Sequence, residues 1–192
     1  MKSGVRALGV AESYRGPTST LAGVVARASR VVDGFAFADC TVGGTDATDA
    51  VIDLWERLDR ADVRYVLVAG IAPAWYNVLD LHRLHGATDR PVVSVTFEES
   101  AGLEPAIREA FKGVAAERRI DTYRAQPPRE RVLVDGDPLF YRAVGLDAGH
   151  ARDLLRAFTP EGGRPEPLRV ARMAARGAER WRFPGEQADP SD

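Results

Sequence analysis

The chain is expected to fold as an α/β domain, a mixed sheet with helices on its faces. Three observations predict it. Runs of β-forming residues separated by turn residues open the chain, two short and largely apolar runs follow at residues 65–69 and 91–97, and segments with apolar residues at helical spacing alternate with those runs. Short apolar runs bounded by turns are what parallel strands buried on both faces require.

Residues 4–10, 21–27 and 31–38 are the opening runs, broken by Gly16-Pro17 and by Ala28-Ser29-Arg30, and they read as an antiparallel meander. Asp46 stands where a helix N-cap is expected, because Ala47, Val51, Leu54, Trp55 and Leu58 recur at helical spacing after it. The strand at 65–69 leads into a helix predicted from about Ala74 to His85, then the strand at 91–97. A helix over residues 103–112 carries Pro105 in its first turn, where a missing N–H costs nothing. Residues 132–134 and 139–143 read as strands around the turn Asp135-Gly136-Asp137-Pro138, and helices are predicted over 148–158 and 166–176. This order of three strands, helix, strand, helix, strand, helix is that of the ribonuclease H-like fold. A single domain over residues 1–180 is expected, with residues 181–192 as a loose tail, since periodicity is lost from Arg182 onward.

At 192 residues, 45% hydrophobic and 28% charged, the composition is that of a globular domain, and no apolar run approaches a membrane span. The N-terminus lacks the features of a signal peptide and Cys40 is the lone cysteine, so a cytoplasmic protein is expected. Lys2 and Lys112 are the only lysines among 26 basic residues. Such arginine usage suits phosphate binding, and a GC-rich genome produces the same bias. A net charge of −2 argues against a general nucleic-acid coat protein. There is no Gly-rich phosphate loop with Lys, no Gly-x-Ser-x-Gly elbow and no Cys-x-x-Cys pair, which removes support for P-loop, serine esterase and structural zinc chemistry.

The loop that follows residues 65–69 is the richest in chemistry. Trp75 and Tyr76 stand side by side, followed by Asn77 and Asp80; two adjacent rings either stack on a ligand or plug the fold. If the segment is helical, Asn77 and Asp80 share a face; otherwise Asn77 caps a helix and Asp80 is its first-turn acid. Glu12, read as lying just past the first strand, either points into a cleft or faces water. Asp46 has competing readings as ligand and as helix cap. His82 and His85 lack the spacing of the common zinc helix motif. Arg169, Arg172 and Arg176 form one helical stripe, either a phosphate contact or a solvated face.

Four segments, Arg6-Ala-Leu-Gly-Val-Ala-Glu12, Gly43-Gly-Thr-Asp-Ala-Thr48, Gly70-Ile-Ala-Pro-Ala-Trp-Tyr-Asn-Val-Leu-Asp80 and Arg164-Pro-Glu-Pro-Leu-Arg-Val-Ala-Arg172, carry a resemblance to the endonuclease dU family, an archaeal group related to endonuclease V. The resemblance implies a ribonuclease H-like core that binds Mg²⁺ or Mn²⁺ through strand-end carboxylates and hydrolyses DNA next to a deaminated base, deoxyuridine or deoxyinosine. It implies Glu12 and Asp46 as metal ligands and catalytic residues with Asp80 assisting. Trp75, Tyr76 and Asn77 would then contact the substrate, and Arg169 and Arg172 its backbone phosphate. Ala11, Ala69 and Arg172 stand where related chains carry acidic or ligand residues. The rival expectations are a non-catalytic nucleic-acid-binding relative and an enzyme acting on a small phosphorylated metabolite.

Overall fold

In the computed structural model, which describes residues 1–184, the meander forms with longer strands than its apolar runs predict. β1 (Arg6–Arg15) pairs antiparallel with β2 (Thr18–Arg27), and β2 with β3 (Val32–Thr41). Glu12 pairs with Leu21 and is therefore inside β1, not past it. The polar residues after Ala11 end the apolar run, but β2 is buried over Ser19 to Ala26 and its ladder carries β1 onward.

The chain continues through α1 (Ala47–Leu58), β4 (Val63–Ala69), α2 (Pro73–Tyr76), α3 (Leu81–Thr88), β5 (Val92–Thr96), α4 (Glu104–Ala110) and α5 (Val114–Arg124). It ends with β6 (Glu130–Val134), β7 (Asp137–Val144), α6 (Ala148–Phe158) and α7 (Glu166–Arg182). The seven strands form one sheet in the order β3-β2-β1-β4-β5-β7-β6. β4 runs parallel to β1 and β5 parallel to β4, as the apolar runs predict, while β7 and β6 return antiparallel. The C-terminal ends of β1, β4 and β5 thus lie side by side.

Alternation along the strands sorts the core into two layers. Leu8 and Val10 face α1 and α3 with Val66, Val68, Leu54 and Leu84, while Ala7, Leu67 and Val93 face α6 and the start of α7. Gly9 is where α7 touches the sheet: a Cβ there would lie 2.4 Å from the backbone of Pro167. Only glycine admits so close a helix, and Pro165-Glu166-Pro167 starts α7 directly over β1.

Three expectations are corrected. No helix runs from Ala74 to His85: Ala74, Trp75 and Tyr76 have φ of 48°, 57° and 62°, so α2 is a left-handed turn, and α3 starts only after Asp80, whose side chain accepts from the Arg83 N–H. Asn77 and Asp80 consequently share no helix face. α5 was not predicted, because it is polar almost all round and buries only Ala116, Arg119 and Ile120. α7 continues to Arg182 instead of stopping at 176, held by Arg182 bonding to Asp39 and Thr20; the expected tail lies, from residue 185, outside the described residues. No helix among the described residues is long and apolar enough to cross a membrane.

Candidate nucleic-acid interface and carboxylate site

Glu12 projects from β1 toward the α1 side, where its carboxylate accepts from Ser19 Oγ at 2.8 Å and from the Ala74 backbone N–H. Burial pushes its carboxyl above the usual range, opposed by the Ser19 and Ala74 hydrogen bonds and by the positive charge of Arg172; the nearby Glu179 carboxylate raises it further. Behind it, Cys40 on β3 is 3% exposed, and its thiol is pushed up to about 12 by burial and then by the charges of Asp46 and Glu12. The two carboxylates therefore share one neighbourhood on either side of Cys40.

Asp46 precedes α1 as expected, yet its side chain makes no capping bond. It turns back to β3 and accepts from the Thr41 backbone N–H at 3.1 Å, from Thr41 Oγ1 at 2.8 Å and from Asn77 Nδ2 at 2.7 Å. Burial raises its carboxyl, but these donors outweigh burial and hold it below the usual range. The cap of α1 comes from elsewhere in the chain: Asn77 Oδ1 accepts the Ala47 N–H at 2.9 Å, while its Nδ2 also donates to the Thr41 carbonyl at 2.9 Å. Asn77 is fully buried and both its N–H donors are used, so it fastens the β4 loop to the start of α1 and is not exposed to a substrate.

The left-handed turn is held from three sides. Gly43 N–H donates to the Ala74 carbonyl at 2.7 Å, the Ala74 N–H reaches Glu12, and the Asn77 N–H closes onto the Pro73 carbonyl at 3.0 Å. Left-handed backbone costs a side-chain-bearing residue roughly 1–2 kcal/mol, so three in succession persist only where the surroundings enforce them. The outcome is an aromatic platform. Trp75 lies 5.2 Å from the Phe111 ring and Tyr76 6.4 Å from it, with the guanidinium of the buried Arg119 3.8 Å over the other part of the cluster at Phe111. Gly43 is needed beneath it, since a Cβ there would meet the indole at 2.9 Å. Trp75 remains 49% exposed.

Asp80 lies apart from Glu12, as the cap of α3 in a separate cleft with Thr48, Arg83 and Arg118. Of the α7 stripe, Arg169 is spent on Glu166, with two contacts of 2.7 Å, whereas Arg172 is exposed beside Glu12. His85 serves structure, bonding the Arg90 carbonyl at 2.8 Å.

The implied divalent ion does not fit these residues. Among the described residues no group of three or more His, Cys, Asp or Glu is placed to hold a metal ion. Asp46 is saturated by Thr41 and Asn77, Glu12 has a guanidinium beside it, Asp80 is in another cleft, and positions 11 and 69 offer only methyl groups. The sharing of an ion by Glu12 and Asp46 with help from Asp80 is therefore not what the geometry presents.

Two features escape a reading of the sequence. Glu179, 3% exposed, accepts from Ser13 Oγ at 2.7 Å next to Glu12, and the signal for it is a charged residue where the buried spacing Leu168, Ala171, Ala175 calls for an apolar one. A groove of about 530 Å³ also opens at the ends of β4 and β5, bordered by Arg129, Arg142, Arg164 and Arg172.

A seven-stranded mixed sheet with helices on its faces, its strand ends carrying carboxylates, an aromatic turn and arginines, has the ribonuclease H-like architecture. The family model described as Endonuclease dU matches residues 3–179, and the chain belongs to that family. A UPF0215 protein of Thermococcus kodakarensis is 39% identical over 157 residues, covering 81% of this chain and 78% of that protein. The structure of a protein of unknown function from Archaeoglobus fulgidus superposes with a TM-score of 0.81 at 25% identity, over 91% of this chain and 98% of that one. Ciona intestinalis endonuclease V, in complex with a 23mer DNA containing an inosine, superposes with a TM-score of 0.62 at 12% identity, over 92% and 86% of the two chains. The expected fold class is thus met.

Proposed function

We propose that the protein binds DNA across the Trp75-Tyr76 turn and the Arg172 side of α7, and that this binding needs no divalent ion. The observation that carries the reading is the positive charge of Arg172, on the exposed side of α7, acting on the Glu12 carboxylate, so that the chain itself supplies cationic potential at this strand. The half-exposed indole of Trp75, backed by Gly43 and Phe111, offers a flat face to a base, and the rigid left-handed turn holds it there without ordering cost on binding. The DNA-bound endonuclease V of the same fold supports nucleic acid as the partner.

The test is fluorescence anisotropy of labelled single- and double-stranded oligonucleotides in EDTA and in Mg²⁺, over a range of salt. Binding is expected to be equal in EDTA and Mg²⁺ and to weaken with salt. Trp75→Ala is expected to lose about 1–3 kcal/mol, the worth of one stacked base. Absence of binding, or binding that requires the divalent ion, refutes the reading.

A second reading, metal-dependent cleavage beside deoxyuridine or deoxyinosine, is favoured by one observation, that Glu12 and Asp46 both bear on Cys40 and so approach the same strand end. Nicking of such DNA with Mg²⁺ or Mn²⁺ by the wild type, lost in Glu12→Gln, would establish it. No nicking with any divalent ion removes it for those substrates.

A further inference from the structure

The groove at the ends of β4 and β5 is lined by Tyr76 and Arg172 of the proposed DNA surface and by three further arginines. Its floor is Ala69, Gly70 and Ser94 to Phe97, and its walls carry Arg129, Arg142 and Arg164. Each of the three guanidinium groups lies over a ring: Arg129 4.1 Å from Phe140, Arg142 4.8 Å from Tyr123 and Arg164 4.3 Å from Phe97. Among the described residues none of the three has a carboxylate salt-bridge partner.

Their donors are used unequally. Arg129 bonds the Ser100 carbonyl, Thr96 Oγ1 and the Glu98 carbonyl, and Arg142 bonds the Pro127 carbonyl and Tyr123 Oη, so both are fixed by neutral acceptors that leave their charge uncompensated. Burial lowers the pKa of Arg129 and the charge of Arg142 adds to it, opposed by Tyr123 and by the nearby Glu99 carboxylate. Arg164 is exposed, its guanidinium lies on the Phe97 ring, and among the described residues its N–H donors have no hydrogen-bond or salt-bridge partner. Glu98 and Glu99 lie on the exposed rim, two acids against the arginines that border the groove.

We propose that this groove is a binding site for a nucleoside phosphate, with the phosphate on Arg164 in the field of Arg129 and Arg142. Several guanidinium groups aligned on rings, with one planar fork free, match a phosphate dianion, and a volume of about 530 Å³ accommodates one nucleotide unit. A free nucleotide and the phosphorylated end of a strand present the same chemistry. The inference goes beyond DNA binding on the Trp75 turn, because either source satisfies it.

Calorimetry with thymidine 5′-monophosphate and with thymidine, and anisotropy with a labelled oligodeoxynucleotide carrying or lacking a 5′-phosphate, test it on the wild type, Arg164→Ala and Arg164→Lys. At least one phosphorylated probe is expected to bind more tightly than its unphosphorylated partner. Arg164→Ala is expected to remove that preference, about tenfold in affinity, at an unchanged melting temperature, and Arg164→Lys to restore part of it. Preference for the monophosphate identifies a free nucleotide as the occupant, and preference only within the oligonucleotide pair identifies a strand end. Equal affinity with and without phosphate, no binding of any probe, or a preference that survives Arg164→Ala overturns the proposal. If neither phosphorylated probe is preferred while both oligonucleotides still bind, the groove fails while DNA binding on the Trp75 turn stands.

Discussion

Asn77 is the residue whose removal is expected to cost most for its size. In Asn77→Ala the hydrogen bond to the Asp46 carboxylate is lost, the Thr41 carbonyl loses a donor, and the buried first N–H of α1 is left without an acceptor. A hydrogen bond to a charged group is worth about 1.5–3 kcal/mol and an unsatisfied buried group costs about 1–3 kcal/mol, so a loss of about 3–5 kcal/mol follows once the loop relaxes. For a domain of this size that is roughly 10 °C in melting temperature. Asn77→Asp separates the contributions: it keeps an acceptor for Ala47 but sets a second carboxylate against Asp46. The repulsion raises the carboxyl of the new pair in the folded state, so the folded protein binds a proton the unfolded one does not. The penalty is therefore largest at neutral pH and shrinks toward the unfolded carboxyl value of about 3.9. Urea denaturation of the three proteins from pH 4 to 8 reads both effects. A loss below about 1 kcal/mol in Asn77→Ala, or an Asn77→Asp penalty that does not shrink relative to wild type on acidification, refutes this account of the loop.

Two other outcomes are expected. Burial raises the Glu12 carboxyl, so folded-state protonation is favoured and the wild type loses stability as pH rises from its ordinary value of 4.5; Glu12→Gln keeps an acceptor for Ser19 and is expected to be the more stable protein above that range by urea denaturation, and equal stability at all pH contradicts the placement of Glu12. Cys40, pushed up to about 12 and buried, is expected to resist iodoacetamide at pH 8 in the folded protein and to react at the rate of unfolding, whereas rapid modification without denaturant contradicts its burial.

The sheet was legible because its signals are local: apolar runs of strand length at 65 and 91, and turn residues at Gly16-Pro17 and Asp135-Gly136. The loop after β4 was not, because its conformation is imposed from outside. Nothing in Ala74-Trp75-Tyr76 asks for left-handed backbone; Gly43 and Glu12, distant in sequence, enforce it together with Asn77, whose side chain is tied to Ala47 and Asp46. Asp46 shows the same limit in reverse. Its position before α1 is that of an N-cap, yet the capping bond comes from Asn77, which frees Asp46 to tie β3. The arginines of the groove were invisible for a third reason: Arg129, Arg142 and Arg164 fall on separate loops and strands and converge only through sheet order.

The connections around Glu12 also explain how the strand-end architecture of this family member is held by its own side chains. Asp46 orders Thr41 and Asn77, Asn77 caps α1 and anchors the β4 loop, and Glu12 holds Ala74, which in turn fixes Trp75 on Gly43. Each carboxylate is thus a structural acceptor within the network. Three successive left-handed residues are a conformation that such anchors must hold, and together they present the half-exposed indole. What the network preserves is the shape of the strand end and the presentation of one aromatic face, which are requirements of holding nucleic acid whether or not the strand is cut.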